Sequence, residues 1–201
     1  DQSTKERGPL MSAEAKILNT GKLTRGRRLM RRGLLQPGPS HLRSMIRDAK
    51  VELIPMKSLE RAVTELAPHS SISMTCSPAK SIEATLDETA ALVAAGHRVT
   101  PHLSARMVQT SEHLVAIRSR LVEIGIREIF VVGGDADPPG CFFDAIEFIE
   151  AFLALDDADG PEHRQIDHIG YTSYPDSHPL ITSEQLHDAL HVKQQMILDS
   201  G

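Results

Sequence analysis

Tryptophan is absent, and aromatic residues make up only 3% of the 201 positions. Proteins that stack single-stranded nucleic acid need several such rings, so that class is disfavoured. Only two cysteines occur, Cys76 and Cys141, too few for a disulfide framework or a zinc ribbon. A reducing cytoplasm is the location this predicts. No run approaches about 18 uncharged apolar residues, so no membrane span is expected. The opening DQSTKERGPLM carries no apolar core of the kind a secretory signal needs. Neither G-x-G-x-x-G nor G-x-x-x-x-G-K-[ST] is present, which leaves a Rossmann fingerprint and a P-loop unsupported. A G-x-S-x-G nucleophile motif is missing as well.

What remains is a globular composition, 40% apolar and 24% charged, of a length that suits one or two domains. The charge is unevenly placed. Residues 1–50 hold 12 Lys and Arg against 4 Asp and Glu, whereas the rest of the chain holds 10 against 23. The densest basic run, Arg25 to Arg32, reads first as a solvated helix face. Nucleic-acid contact is the weaker reading, because the acidic body would repel phosphate. The chain therefore divides into a basic, mostly helical extension over 1–50 and a body over 51–201.

In that body, strands and helices take turns. Short β-type runs stand at 51–54, 71–75, 98–102, 129–132 and 166–172. Between them, apolar periodicity predicts helices over 57–66, 81–95, 108–124 and 142–155, with a last helix from about 183 onward. Residues 12–47 read as mostly helical, interrupted at Gly38-Pro39. Regular alternation with short links points to right-handed βαβ units and a parallel sheet. Two architectures fit: an open doubly wound sheet, or about five units of a (β/α)8 barrel. A whole barrel takes about 250 residues, so the barrel reading is of an incomplete one. Its exposed strand edges predict further chain or a partner along them, with a homo-oligomer as one form of partner.

Both architectures bind ligands at the carboxyl ends of the strands. The residues there are polar: Glu52 within the first strand, Thr75-Cys76 after the second, His102 after the third, Gly134-Asp135 after the fourth, and Tyr174 with His178 after the fifth. A carboxylate inside an apolar strand, as at Glu52, suits a general acid if it is buried; outward pairing with a surface cation is the competing reading. Asp135 follows two glycines, where backbone can approach a flat ligand, but it also fits a turn or helix cap. His102 could bond a ligand or merely end a strand. Cys76 reads as a packing residue, since no base stands beside it. His187 and His191, spaced i and i+4, have the spacing of half a zinc site without the glutamate of H-E-x-x-H, and a solvated helix face is the plainer reading.

Taken in order, VELIP (51–55), SISMTCSP (71–78), VTPHLSAR (99–106), VVGGDADPPG (131–140) and YTSYPDSHP (171–179) resemble the methylenetetrahydrofolate reductase family. The resemblance covers residues 51–201 and implies a flavin-carrying (β/α)8 barrel. The implied activity is reduction of 5,10-methylenetetrahydrofolate to 5-methyltetrahydrofolate by NADH or NADPH through FAD. Glu52 then matches the family's general acid, and Asp135 the aspartate that stabilises the iminium intermediate. Thr75 matches a threonine near the nicotinamide and flavin; His102, Gly134, Tyr174 and His178 match flavin contacts. Three positions depart from the pattern. Gly133 stands in place of an arginine, Cys76 in place of an aromatic, and the last helix offers Lys193 alone where the family has a basic pair on the flavin pyrophosphate. These departures keep two alternatives open: a folate-dependent methyltransferase or demethylase on the same barrel, and a non-catalytic subunit or binding protein. No membrane partner is expected, and nucleic acid is disfavoured.

Overall fold

The computed structural model describes residues 39–47, 49–56, 59–159, 165–179 and 181–200. Most of the basic extension, and with it most of the helix expected over 12–47, lies outside the described residues. Helix α1 (Pro39–Arg47) opens on proline, whose fixed φ and missing N–H suit a first helical turn. Thereafter β1 (Lys50–Leu53), α2 (Leu59–Thr64), β2 (Ser71–Met74), α3 (Ile82–Ala94), β3 (Arg98–Ser104), α4 (Ser111–Ile124), β4 (Glu128–Val132), α5 (Ala145–Asp159), β5 (His168–Tyr171) and α6 (Ser183–Asp199) follow in turn. A 3-10 turn (Ala105–Met107) links β3 to α4.

Capping explains the helix ends. Ser81 and Thr110 each accept a hydrogen bond from a backbone N–H of the first turn, at 3.2 and 3.1 Å. Gly125 ends α4 in the left-handed conformation at φ 81°. Thr182 and Gln185 form a reciprocal capping box on α6. Asp144 Oδ1 receives two N–H groups at the start of α5.

All five strands run parallel in the order β1-β2-β3-β4-β5. The order never reverses, as a doubly wound sheet requires, so the doubly wound alternative does not describe these strands. Right-handed crossovers in unbroken sequence lay successive helices on one face. Accordingly, α3 packs on α4, α4 on α5, and α5 on α6.

Strand three is longer than the sequence suggests. It pairs with β2 through residues 98–101 and with β4 through 102–104. Pro101, which lacks an N–H, stands where the pairing passes from one neighbour to the other, so the strand tolerates it.

The alternation of side chains divides the sheet sharply. Toward the helices point Ile72, Met74, Val99, Leu103, Ile129 and Val131, packed with Leu86, Leu92, Ile117, Leu121, Phe148 and Phe152. The register puts Lys50, Glu52, Ser73, Thr100, His102, Ser104 and Glu128 on the opposite face. Lys50 on β1 donates to Thr100 Oγ1 on β3 at 2.9 Å and pairs with Glu128 on β4. Three strand spacings come to about 14 Å in a flat sheet. A lysine that reaches across them, over the top of β2, marks a sheet curled toward this face. The curl also accounts for the burial of Ser73, Thr100, His102 and Ser104.

Candidate functional site

A cleft of about 750 Å3 opens beyond the carboxyl ends of β4 and β5, within the usual size of small-molecule sites. Four of the residues picked from the sequence line it: Gly134, Asp135, Tyr174 and His178. The rings of Tyr174 and His178 meet edge to face at 5.0 Å. Asp135 is exposed in the loop between β4 and α5, ten residues ahead of that helix. The helix-cap reading of Asp135 therefore fails, and Asp144 holds the cap instead.

Two cations in the lining were not singled out as site residues, or were counted only as a lone lysine. Arg106, from the 3-10 turn, sets its guanidinium 5.2 Å over the exposed Phe143 ring and donates from Nε to the Ala136 carbonyl at 2.8 Å. Lys193 on α6 is buried; its ammonium donates to the Thr172 carbonyl at 2.8 Å and lies 5.3 Å from the Tyr171 ring. Burial pushes its pKa down, partly opposed by Asp144. The i, i+4 spacing of Ala189 and Lys193 puts both on the stripe of α6 that lines the cleft.

Glu52, Thr75 and His102 stand apart from this lining. Glu52 is half-buried on β1, on the concave polar face and level with Ser73 and Thr100. Thr75 closes β2 by donating from Oγ1 to the Leu53 carbonyl at 2.9 Å, which fixes the end of the strand beside β1. His102 does not end its strand; it is buried inside β3, with Nε2 2.7 Å from Ser73 Oγ and its ring 4.8 Å from Phe130. Burial, aided by the Lys50 charge, pushes its imidazole down to about 4, so at neutral pH it is an uncharged hydrogen-bonding group. Phe130 in turn lies across Gly170 of β5, where any Cβ would strike the ring.

The polar face and the cleft meet at Ser104, the last rung of β3. Its buried hydroxyl has no hydrogen-bond partner among the described residues and lies against Gly134, which holds φ 85°. A Cβ at 134 would overlap that oxygen, whereas one at Gly133 would meet nothing within 4 Å. Glycine is thus required at 134 by both space and backbone angle, and Gly133 leaves open room where a side chain would otherwise stand.

Cys76 packs its sulfur 3.6 Å from that of Met107, and burial raises its pKa; this is the packing residue expected. Among the described residues no group of three or more His, Cys, Asp or Glu is placed to hold a metal ion, and no helix is long and apolar enough to cross a membrane. No protein-family model matches the chain.

The lining combines two cations, exposed aromatic edges, the three carboxylates Asp135, Asp137 and Asp144, and an open floor over Gly133. Arg106 and Lys193 can each oppose a phosphate charge placed beside them, and the aromatic groups and glycine backbone admit a flat ring.

Proposed function

We propose that the chain is an oxidoreductase of the methylenetetrahydrofolate reductase type, an arc of a (β/α)8 barrel that seats FAD in the cleft and takes electrons from NADH or NADPH. One observation carries the reading: Gly134, Asp135, Tyr174 and His178, matched to that family by motif, line a single cleft together with the cations Arg106 and Lys193. The unreversed strand order and the curl toward the polar face favour the barrel, whose gap further strands, from this chain or another copy, would close.

Bound there, a flavin would supply hydride transfer between nicotinamide and folate. Lys193 and Arg106 then neutralise phosphate. Asp135, exposed at the cleft mouth, offers a negative charge to a cationic folate intermediate. Glu52 donates the proton for ring opening, which requires the folate to extend from the cleft across the concave face.

The position of Glu52 and His102 outside the cleft lining favours a second reading, a subunit that binds the dinucleotide without turnover. Visible absorbance of the purified protein tests for flavin, and methylenetetrahydrofolate-dependent oxidation of NADH or NADPH tests for reduction. Glu52→Gln should lower that rate by about 100-fold or more while leaving flavin bound. Flavin without turnover establishes the second reading. Methyl exchange with tetrahydrofolate, without nicotinamide oxidation, would instead establish the transferase alternative. A colourless protein that neither binds folate nor oxidises nicotinamide sinks the reductase and transferase readings and leaves a non-catalytic subunit or binding protein.

A further inference from the structure

Outside the cleft, α6 presents a pair of histidines that the proposed reaction does not use. His187 and His191 are both exposed, one helical turn apart. Their Nε2 atoms stand 3.1 Å from each other, with the rings edge to face at 4.7 Å. Spacing of i and i+4 puts two side chains on one stripe of a helix, but it does not by itself turn both ring nitrogens to a common point. Here they do converge.

A metal–imidazole bond is about 2.0–2.1 Å long, and two such bonds at a square or tetrahedral angle hold their nitrogens roughly 2.9–3.4 Å apart. The observed separation falls inside that window. With no metal present, the same geometry lets one neutral ring donate to the other, so the pair is held together beforehand and loses little freedom on chelation.

We propose that His187 and His191 form a two-histidine chelate for a borderline divalent transition metal, with water completing the coordination. Imidazole ligands and the usual affinity order put Cu2+ first, above Ni2+ and Zn2+, and disfavour Mg2+ and Ca2+. No third protein ligand is involved, in keeping with the absence of any three-residue cluster among the described residues. The site is therefore open and exchangeable rather than closed and structural. It clamps one turn of the helix that also carries Leu186, Ala189 and Lys193 into the cleft. The inference stands on the geometry of α6 and is independent of the folate reading.

The test uses the full chain and Cu2+ alone. Titration calorimetry should find one site that His187→Ala and His191→Ala each weaken by about tenfold or more, the loss of one of two metal–nitrogen bonds. The double variant His191→Ala with Val192→His keeps two imidazoles but moves the second around the helix, and should bind as weakly as the single variants. His69→Asn, at an exposed histidine elsewhere, should bind as the parent does. Electron paramagnetic resonance of the Cu2+ complex should report two equivalent nitrogens. Unchanged affinity in both alanine variants, full affinity in the spacing variant, or a one-nitrogen spectrum would overturn the chelate.

Discussion

The two faces of the sheet are made by the same strands and behave as different materials. On β2, β3 and β4, one set of alternate residues is Ile72, Met74, Val99, Leu103, Ile129 and Val131, locked against helices. The other set on β2 and β3 is Ser73, Thr100, His102 and Ser104, buried as well yet polar, and tied to one another or to Lys50, with Ser104 alone of the four lacking a side-chain partner among the described residues. A period of two lets one strand serve both ends. The apolar face supplies the burial that holds the fold; the polar face carries side chains whose stability value is small and whose chemistry is available.

Truncation on each side should separate these roles. Phe148 is fully buried and stacks on Phe152 at 5.9 Å. Phe148→Ala should cost about 3–5 kcal/mol, the transfer term plus the cavity left behind. Ser73→Ala on the opposite face removes one hydrogen bond to His102 and should cost about 1 kcal/mol. Urea unfolding of both variants measures the contrast, and comparable losses would erase the distinction between the faces.

A second measurement reads the polar face through pH. An unfolded histidine titrates near 6.5, whereas His102 in the fold titrates at about 4, held down first by burial and then by Lys50. Between those values the unfolded chain takes up a proton that the folded chain refuses. Folding stability is therefore unaffected by this group above about pH 6.5, and falls as the pH drops toward 4. The gap corresponds to on the order of 3 kcal/mol. In His102→Gln that part of the slope should vanish from stability curves taken across the window. Lys50→Met should move the His102 titration upward, as followed by NMR of the ring. If the parent and His102→Gln curves run parallel, the imidazole is not the buried neutral group described.

Much of this was legible in the sequence, for a physical reason. Five apolar runs separated by capped, periodic segments leave little choice but βαβ units, because period and capping are local properties. The strand order and the curl are not local; they depend on which edges meet, and alternation alone left two architectures open. Gly134, Asp135, Tyr174 and His178 line one cleft because they follow strand ends, where any parallel sheet gathers loops. His102 was misplaced by a proline. Pro101 reads as a strand terminus, and only the transfer of pairing from β2 to β4 shows why the strand runs on through it. Arg106 and Phe143 escaped notice because their meeting depends on the path of two loops rather than on a spacing.

The smallest expected effect, that of Gly133→Ala, lies where the two regions join and is set against its neighbour. Gly133 and Gly134 are neighbours with opposite demands. At 134 the backbone is left-handed and the Cβ direction is filled by the Ser104 hydroxyl; at 133 that direction is empty. Gly134→Ala should cost about 1–3 kcal/mol and displace the loop that carries Asp135, weakening any cleft ligand. Gly133→Ala should leave stability within about 1 kcal/mol of the parent, or raise it slightly by restricting the unfolded chain. Combining Gly134→Ala with Ser104→Gly clears the overlap but not the φ strain, and so should recover only part of the loss. Thermal melts of the four proteins resolve this. Full recovery would mean that space alone selects glycine at 134. No recovery would mean that the backbone angle is the whole cause, and that Ser104 does not link the polar face to the floor of the cleft.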